Sequence, residues 1–297
     1  MGPLQSSTRD LRKVMEHQYL YAYFGHHKCA TTSTNNVNKH LCYRLGMNFI
    51  SVHNPGMFDE DLRRFVNRNK IDFLSFINAD PNYINLDNVK GYHIVRDPRD
   101  IVVSAYFSHL YSHPTTAWNE LSEHREKLRS TSFDEGILLE IQLEDKEFQD
   151  LYNWDYSQQN ILEIKFEDMI RDRVNKFVEI FHFLGILDMS ALSKRNQLLY
   201  RGISTINFIN NLSKGKFPFH HKLDKIPEDE FQKIIQLSSF TRKSKGRKPG
   251  DEDLKSHYRK GISGDWKNHF TNDHKEYFKR NYNDLLRKLG YESDFNW

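Results

Sequence analysis

Tyr23-Phe24-Gly25-His26-His27-Lys28-Cys29-Ala30-Thr31-Thr32-Ser33 closes an apolar run on a glycine, then supplies one lysine and three consecutive hydroxyl residues. Leu20 to Phe24 reads as a buried strand and Thr31 to Leu45 as a helix. Lys28 and the free N–H groups of the first helical turn therefore converge on one point, where a phosphate or sulfate group fits. Taken alone, the stretch also reads as an ordinary helix start capped by Thr31. The segments further along the chain have to decide.

Three more β-like runs follow within the first hundred residues, Asn48 to Val52, Asp72 to Ile77 and Gly91 to Val95, with helical patterns after the first two strands. Strand-helix alternation of this kind predicts an α/β fold with a central parallel β-sheet flanked by helices. After Val95 comes Arg96-Asp97-Pro98-Arg99-Asp100, in which Asp97 suits an N-cap and Pro98 a first helical position. A second helix thus leaves the carboxyl end of a strand, its mouth facing that of the first loop. Thr115 to Asn160 is polar with a helical pattern, and Ile161 to Phe166 is a further central strand. Helices are expected over Val174 to Leu184, Pro227 to Leu237 and Thr271 to Leu289.

Residues 1–297 read as a single domain with a core over about 18–290, since no linker demands a split. A hydrophobic content of 38%, with 21 Phe and 15 Tyr, is ample for one core. Met1 to Gln5 reads either as native chain or as a cloning remnant. Two cysteines, Cys29 and Cys42, cannot build a disulfide framework, and no run approaches the roughly 20 apolar residues of a membrane span. A cytoplasmic protein is expected. The net charge of +3 excludes general nucleic-acid binding, but Arg242, Lys243, Lys245, Arg247, Lys248, Arg259 and Lys260 crowd the C-terminal third. That run is either a solvated loop or one that closes over an anionic ligand.

In open α/β sheets ligands bind beyond the carboxyl ends of the strands, where Lys28, Arg96 and Ser104 would meet. Two anion sites emerge, one around Lys28 to Ser33 and one around Arg96 and Ser104, with Arg259-Lys260-Gly261 placed to complete the second. A ligand with two separated phosphate-like groups is implied.

These segments resemble those of the sulfotransferases that use 3′-phosphoadenosine 5′-phosphosulfate (PAPS) and release adenosine 3′,5′-bisphosphate (PAP). Lys28-Cys29-Ala30-Thr31-Thr32 is similar to their 5′-phosphosulfate loop. Arg96 to Asp100 with Ser104 resembles their 3′-phosphate element, Lys165 to Met169 a strand end with an adenine contact, and Arg259 to Lys267 their C-terminal 3′-phosphate motif. All four occur in family order between residues 20 and 271. The resemblance implies a P-loop-like sulfotransferase architecture and a cofactor loop of His27, Lys28, Cys29, Ala30, Thr31, Thr32 and Ser33. It implies that Lys28 stabilises charge on the departing phosphate, that Arg96, Ser104, Arg259, Lys260 and Gly261 bind the 3′-phosphate, and that Phe166 and Phe240 flank adenine. No metal is expected: the full Gly-x-x-x-x-Gly-Lys-Ser/Thr loop and a coupled magnesium pattern are missing.

The acceptor's general base is less plain. Cytosolic relatives carry a histidine after the third strand, but Phe76-Ile77-Asn78-Ala79-Asp80-Pro81 has none. Ser51-Val52-His53-Asn54-Pro55 puts His53 at a strand end aimed at the cleft, which makes it first choice as the catalytic base, with Asp80, Glu60 and His109 in reserve. Ser33 stands where cytosolic relatives have a stacking aromatic, and Cys29 where they have serine, which predicts sensitivity to oxidation. Tyr106, Phe107, His109, Tyr111, His113, Met57 and Phe58 are candidates for an acceptor pocket suited to a small-molecule hydroxyl: a phenol, a lipid alcohol or a sugar. Two other readings stand beside this one, a nucleotide-dependent kinase on the same fold and a non-catalytic PAP- or PAPS-binding protein. No oligomeric state is inferred.

Overall fold

Strand β1 (Leu20–Phe24) is buried on both faces along nearly its whole length because it lies in the middle of a five-stranded sheet. The computed structural model describes residues 19–115, 118, 120–189, 193–213 and 221–297, so Met1 to Gln5 lie outside the described residues. The strands β2 (Phe49–Val52), β3 (Phe73–Phe76), β4 (Val89–Val95) and β5 (Ile161–Lys165) join β1 in the order β2-β3-β1-β4-β5. Every pairing is parallel. Sheets of this kind need both faces covered, which explains why β1, β3 and β4 are buried along nearly their whole length rather than on alternate residues.

The cover is helical. In chain order it comprises α1 (Thr31–Leu45), α2 (Leu62–Asn69), α3 (Pro98–Phe107), α4 (Glu120–Ser130), α5 (Phe133–Leu143), α6 (Asp145–Asn153), α7 (Phe166–Arg171), α8 (Arg173–Leu184), α9 (Lys194–Leu212), α10 (Glu228–Leu237), α11 (Phe240–Lys243) and α12 (Asn272–Lys288). Local chemistry sets several of their starts. Asp97 accepts the Arg99 N–H with Pro98 at the first position of α3, and Ser132 with Glu135 forms a capping box on α5. Gly46, in the left-handed region, ends α1. The strand ends predicted from sequence shift by one or two residues, and Phe166 opens α7 instead of closing β5.

Two core clusters lie on the two faces of the sheet. One gathers Val37, Leu41, Ile101, Ile180 and Phe278, and the other Phe24, Phe58, Leu74, Phe76 and Trp154. Among the described residues no helix is long and apolar enough to cross a membrane. The chain leaves β1 for β2 on one flank while β4 pairs with β1 on the other, so growth of the sheet reverses between β1 and β4. That reversal opens a crevice at their carboxyl ends.

Candidate active site

The loop after β1 fills this crevice. A Cβ on Gly25 would run into the Tyr23 phenol, so the strand exits through a residue without one. Lys28 (φ 59°) and Ala30 (φ 61°) are both left-handed, a backbone pattern of the kind found in anion nests, and the Cys29 N–H between them donates to the His26 carbonyl at 3.2 Å. Ala30, not Thr31, is the N-cap of α1, and no side chain caps it. The Thr31 hydroxyl instead donates to the His26 carbonyl at 2.9 Å, and Thr34 is the first helical residue to return its N–H to a loop carbonyl, that of Ala30. The ordinary capped-helix reading of this stretch therefore fails, and the first turn of α1 stays open to an anion.

Strand pairing brings the second anion site alongside. Phe24 is level with His93, which sets Arg96 beside the loop, and its guanidinium donates to the Lys28 carbonyl at 2.9 Å. The same guanidinium lies 4.3 Å over the Phe166 ring, and its Nε is buried without a partner among the described residues. Ser104 stands half-buried on α3, about two helical turns beyond Arg96. Asp100 accepts the N–H groups of Gly264 (2.6 Å) and Trp266 (3.0 Å), and this clamp draws the C-terminal motif to the site. Within it Arg259 and Lys260 both pair with buried Asp265, at 2.6 and 2.7 Å, and Arg259 lies 4.5 Å over the Phe107 ring. Gly261 (φ +67°) packs under Phe240, where a Cβ would come within 2.6 Å of the ring. Lys28, Arg96 and Arg259 thus lie within electrostatic reach of one another.

Other loop residues face elsewhere. Ser33 accepts from Arg173 at 2.7 Å and donates to the Ser238 carbonyl, while the Thr32 hydroxyl meets His257 Nε2 at 3.0 Å. Cys29 is fully buried and burial pushes its thiol well up, so the expected sensitivity to oxidation is corrected: the thiolate is disfavoured and inaccessible. In the basic segment Arg247 turns inward and donates to the carbonyls of Tyr258 and Arg259, which staples that loop to the motif.

Lys28 carries a clear electrostatic signature. Burial first, then the Arg96 guanidinium and more weakly Arg259, push its ammonium down to about 8 against the opposing pull of Glu144 and Glu140. Among the described residues it has no salt-bridge partner. An anion would supply one and raise the pKa again, so affinity for a bisphosphate nucleotide should fall by up to about tenfold per pH unit above the Lys28 pKa. Calorimetry in two buffers of different ionisation enthalpy should show proton uptake on binding near pH 8, the pKa of that ammonium.

The base candidates are scattered. His53 is exposed at the carboxyl end of edge strand β2, and its N–H contacts the Met57 sulfur at 3.3 Å. Asp80 caps a short 3-10 turn; burial raises its carboxyl, but bonds from Lys146 and the Asn82 N–H outweigh this and hold it low, which makes it a weak base. Glu60 is exposed. His109 is fully buried, with Nδ1 2.9 Å from Glu140 and its ring stacked on His27 at 5.1 Å. Of the acceptor candidates, Phe58, Tyr106 and Phe107 are core residues, and Met57 and Tyr111 are exposed.

The sequence reading missed a buried histidine-glutamate network beneath the loop. His27 Nδ1 lies 2.7 Å from Glu144 and its N–H donates to Glu147. His26 bridges Glu147 (2.7 Å) and His93 Nε2 (2.8 Å), and His93 Nδ1 reaches Glu163 at 2.7 Å. Burial, with Lys28 next, pushes the His27 imidazolium down to about 4. The only sequence signal was Glu140, Glu144 and Glu147 at one-face helical spacing opposite a His-His pair.

A left-handed loop that carries a lysine, with an arginine on its backbone, thus lies at the switch point of a parallel α/β sheet. A model of the sulfotransferase domain matches residues 60–290, most of the chain, and the chain belongs to the sulfotransferase family. The matched segment begins beyond the Lys28 loop. No curated protein sequence matches. Mouse sulfotransferase SULT7A1, crystallised in complex with PAP, shares the fold at 18% identity, TM-score 0.53, over 93% of this chain and 86% of its own. Retinol dehydratase in complex with retinol and PAP aligns at 14% identity, TM-score 0.48, over 92% of this chain and 83% of its own.

Proposed function

We propose that this sulfotransferase-family protein moves a sulfuryl group from PAPS to a small-molecule hydroxyl and releases PAP, with an amine as the lesser acceptor. The observation that carries this reading is the Arg96 guanidinium on the Lys28 carbonyl, 2.9 Å, which joins two anion sites in one cleft. The residues fit such a nucleotide: the uncapped first turn of α1 and the unpartnered Nε of Arg96 are donors that lack an acceptor. The solved complex of SULT7A1 with PAP supports the choice of nucleotide.

In this reading the loop and the backbone N–H groups of Thr31 and Thr32 hold the 5′-phosphate, while Arg96, Ser104, Arg259, Lys260 and Gly261 hold the 3′-phosphate. Phe166 and Phe240 flank adenine. PAPS, when bound, supplies the activated sulfuryl group. Lys28 holds its ammonium where negative charge gathers on the departing phosphate, and a charge fixed in advance in a partly buried site costs little reorganisation. Positioning and electrostatics are the main demands on the protein, as in phosphoryl transfer. A cytoplasmic setting fits two thiols, Cys29 and Cys42, that are both free and buried.

His53 takes the acceptor proton. It follows Val52, which is level with Phe76 and through it with Phe24, so it stands at the height of Gly25, roughly 9.5 Å across two strand spacings. Its exposure leaves an imidazole free for an acceptor that spans this gap. His53→Ala should lower kcat about 10²- to 10⁴-fold with PAP affinity unchanged; unchanged kcat would pass the role to Asp80 or His109.

The test is transfer of sulfur label from the donor to a panel of phenols, lipid alcohols and glycans in the presence of EDTA. Labelled product in at least one class is expected. Magnesium-dependent phosphoryl transfer from ATP would make the protein a kinase, and PAP binding with no transfer to any acceptor would make it a binding protein.

A further inference from the structure

Beside Lys28, three imidazoles come together from two segments. His27 belongs to the cofactor loop, and His109 and His113 lie four residues apart at the end of α3, where Ser108 to Ser112 form a π-helical turn closed by the His113 N–H on the Ser108 carbonyl at 2.7 Å. Such turns often mark functional positions. One ring nitrogen of each histidine lies within 4.8 Å of the others. The His27 ring stacks on His109 at 5.1 Å, and His113 meets both edge-on, at 5.9 and 5.5 Å.

Among the described residues, two ring nitrogens of the cluster lack partners. His109 is 0% exposed, with Nδ1 taken by Glu140 and Nε2 buried with no hydrogen bond; His113 Nδ1 is likewise buried and unpaired. Buried polar atoms are rarely left so without a reason. His27 uses Nδ1 on Glu144 at 2.7 Å, which leaves Nε2 as its available nitrogen. A carboxylate on the far nitrogen of an imidazole is the arrangement that fixes the tautomer and orientation of metal-bound histidines.

Charge points the same way. Glu140, Glu144 and Glu147 have side chains 0, 4 and 12% exposed, and among the described residues their ion-pair partners are all imidazoles: His109, His124, His27 and His26. Lys28 offsets part of the charge on Glu144 and Glu140, and neutral imidazoles supply none.

We propose that His27, His109 and His113 bind a divalent transition-metal ion of the zinc class, with Glu144 and Glu140 as the outer carboxylates that orient two of the rings. Zinc-nitrogen bonds of about 2.0–2.1 Å set tetrahedral ligand nitrogens roughly 3.3 Å apart, so the rings need move inward by only about an ångström or two. Three protein ligands would leave a fourth position for water. The alternative set of His109, His124 and Glu140 is less suited, because Glu140 already bonds both rings, at 2.9 and 2.7 Å. The ion goes beyond the sulfotransferase reading, since nucleotide binding does not depend on it.

The test uses the full chain, stripped with EDTA and titrated with Zn(II) alone, then with Co(II) as a spectroscopic probe. One zinc per chain and the strong visible bands of four-coordinate cobalt are expected. His113→Ala, at a half-buried position, should retain the fold by circular dichroism yet bind zinc at least about 100-fold more weakly and lose the cobalt bands. His40→Ala, on the far part of α1, and His124→Ala should leave both unchanged. Failure of the wild-type chain to bind zinc, undiminished affinity in His113→Ala, or loss of the cobalt bands in His124→Ala would each overturn the assignment. PAP affinity of the stripped protein, measured in the same samples, separates this result from the fate of the sulfotransferase reading.

Discussion

Lys28→Ala should lower kcat about 10²- to 10³-fold, the usual loss when one donor aimed at developing charge is removed. The nest of α1 and the 3′-phosphate residues stay in place, so PAP affinity should fall far less than kcat. Lys28→Arg should not restore the rate. A planar fork cannot deliver a point charge from the same loop, whose left-handed backbone at Lys28 fixes the approach. Single-turnover measurement of sulfuryl transfer, beside equilibrium binding of PAP, separates the two effects. Equal losses in both would reassign Lys28 from the chemical step to nucleotide binding.

Arg96→Ala should have the largest effect on binding. Its guanidinium holds the Lys28 carbonyl, rests on the Phe166 ring and keeps one nitrogen free for a ligand, so its loss loosens the loop and strips the second anion site together. Truncating one partner of a buried charge pair costs about 2–5 kcal/mol, which is roughly a 30- to 5,000-fold loss of PAP affinity. Affinity for adenosine 5′-monophosphate, which has no 3′-phosphate to lose, should change much less. A uniform loss for both nucleotides would mean that Arg96 acts only by shaping the loop.

The parts of the molecule that local chemistry dictates were legible in the sequence. Helix α1 has the bounds read from its pattern, Thr31–Leu45, and the Asp97-Pro98 start of α3 is where cap and proline put it. The parallel sheet followed from apolar runs alternating with helices. Phe166 was ambiguous because an apolar residue suits equally the last position of a buried strand and the first of a helix; Lys165 in extended conformation decides it. The capping role open to Thr31 could not be settled from composition, since only the left-handed turn at Ala30 sends its hydroxyl to His26. The histidine-glutamate network was out of reach for a different reason. His27 and Glu144 are 117 residues apart, and nothing local in either segment says that α5 and α6 pack beneath the loop after β1. The surroundings of His53 are tertiary facts of the same kind: a strand end is visible in sequence, but its place at the sheet's edge is not.

The account turns on one cleft that takes a nucleotide with charge at both ribose corners. Equilibrium titration of the full chain with PAP and with adenosine 5′-monophosphate, in EDTA, tests this most directly. It should show PAP bound more tightly by at least about 100-fold, the advantage vanishing in Arg96→Ala. Equal binding of the two nucleotides, or binding only of ATP with magnesium, would contradict it.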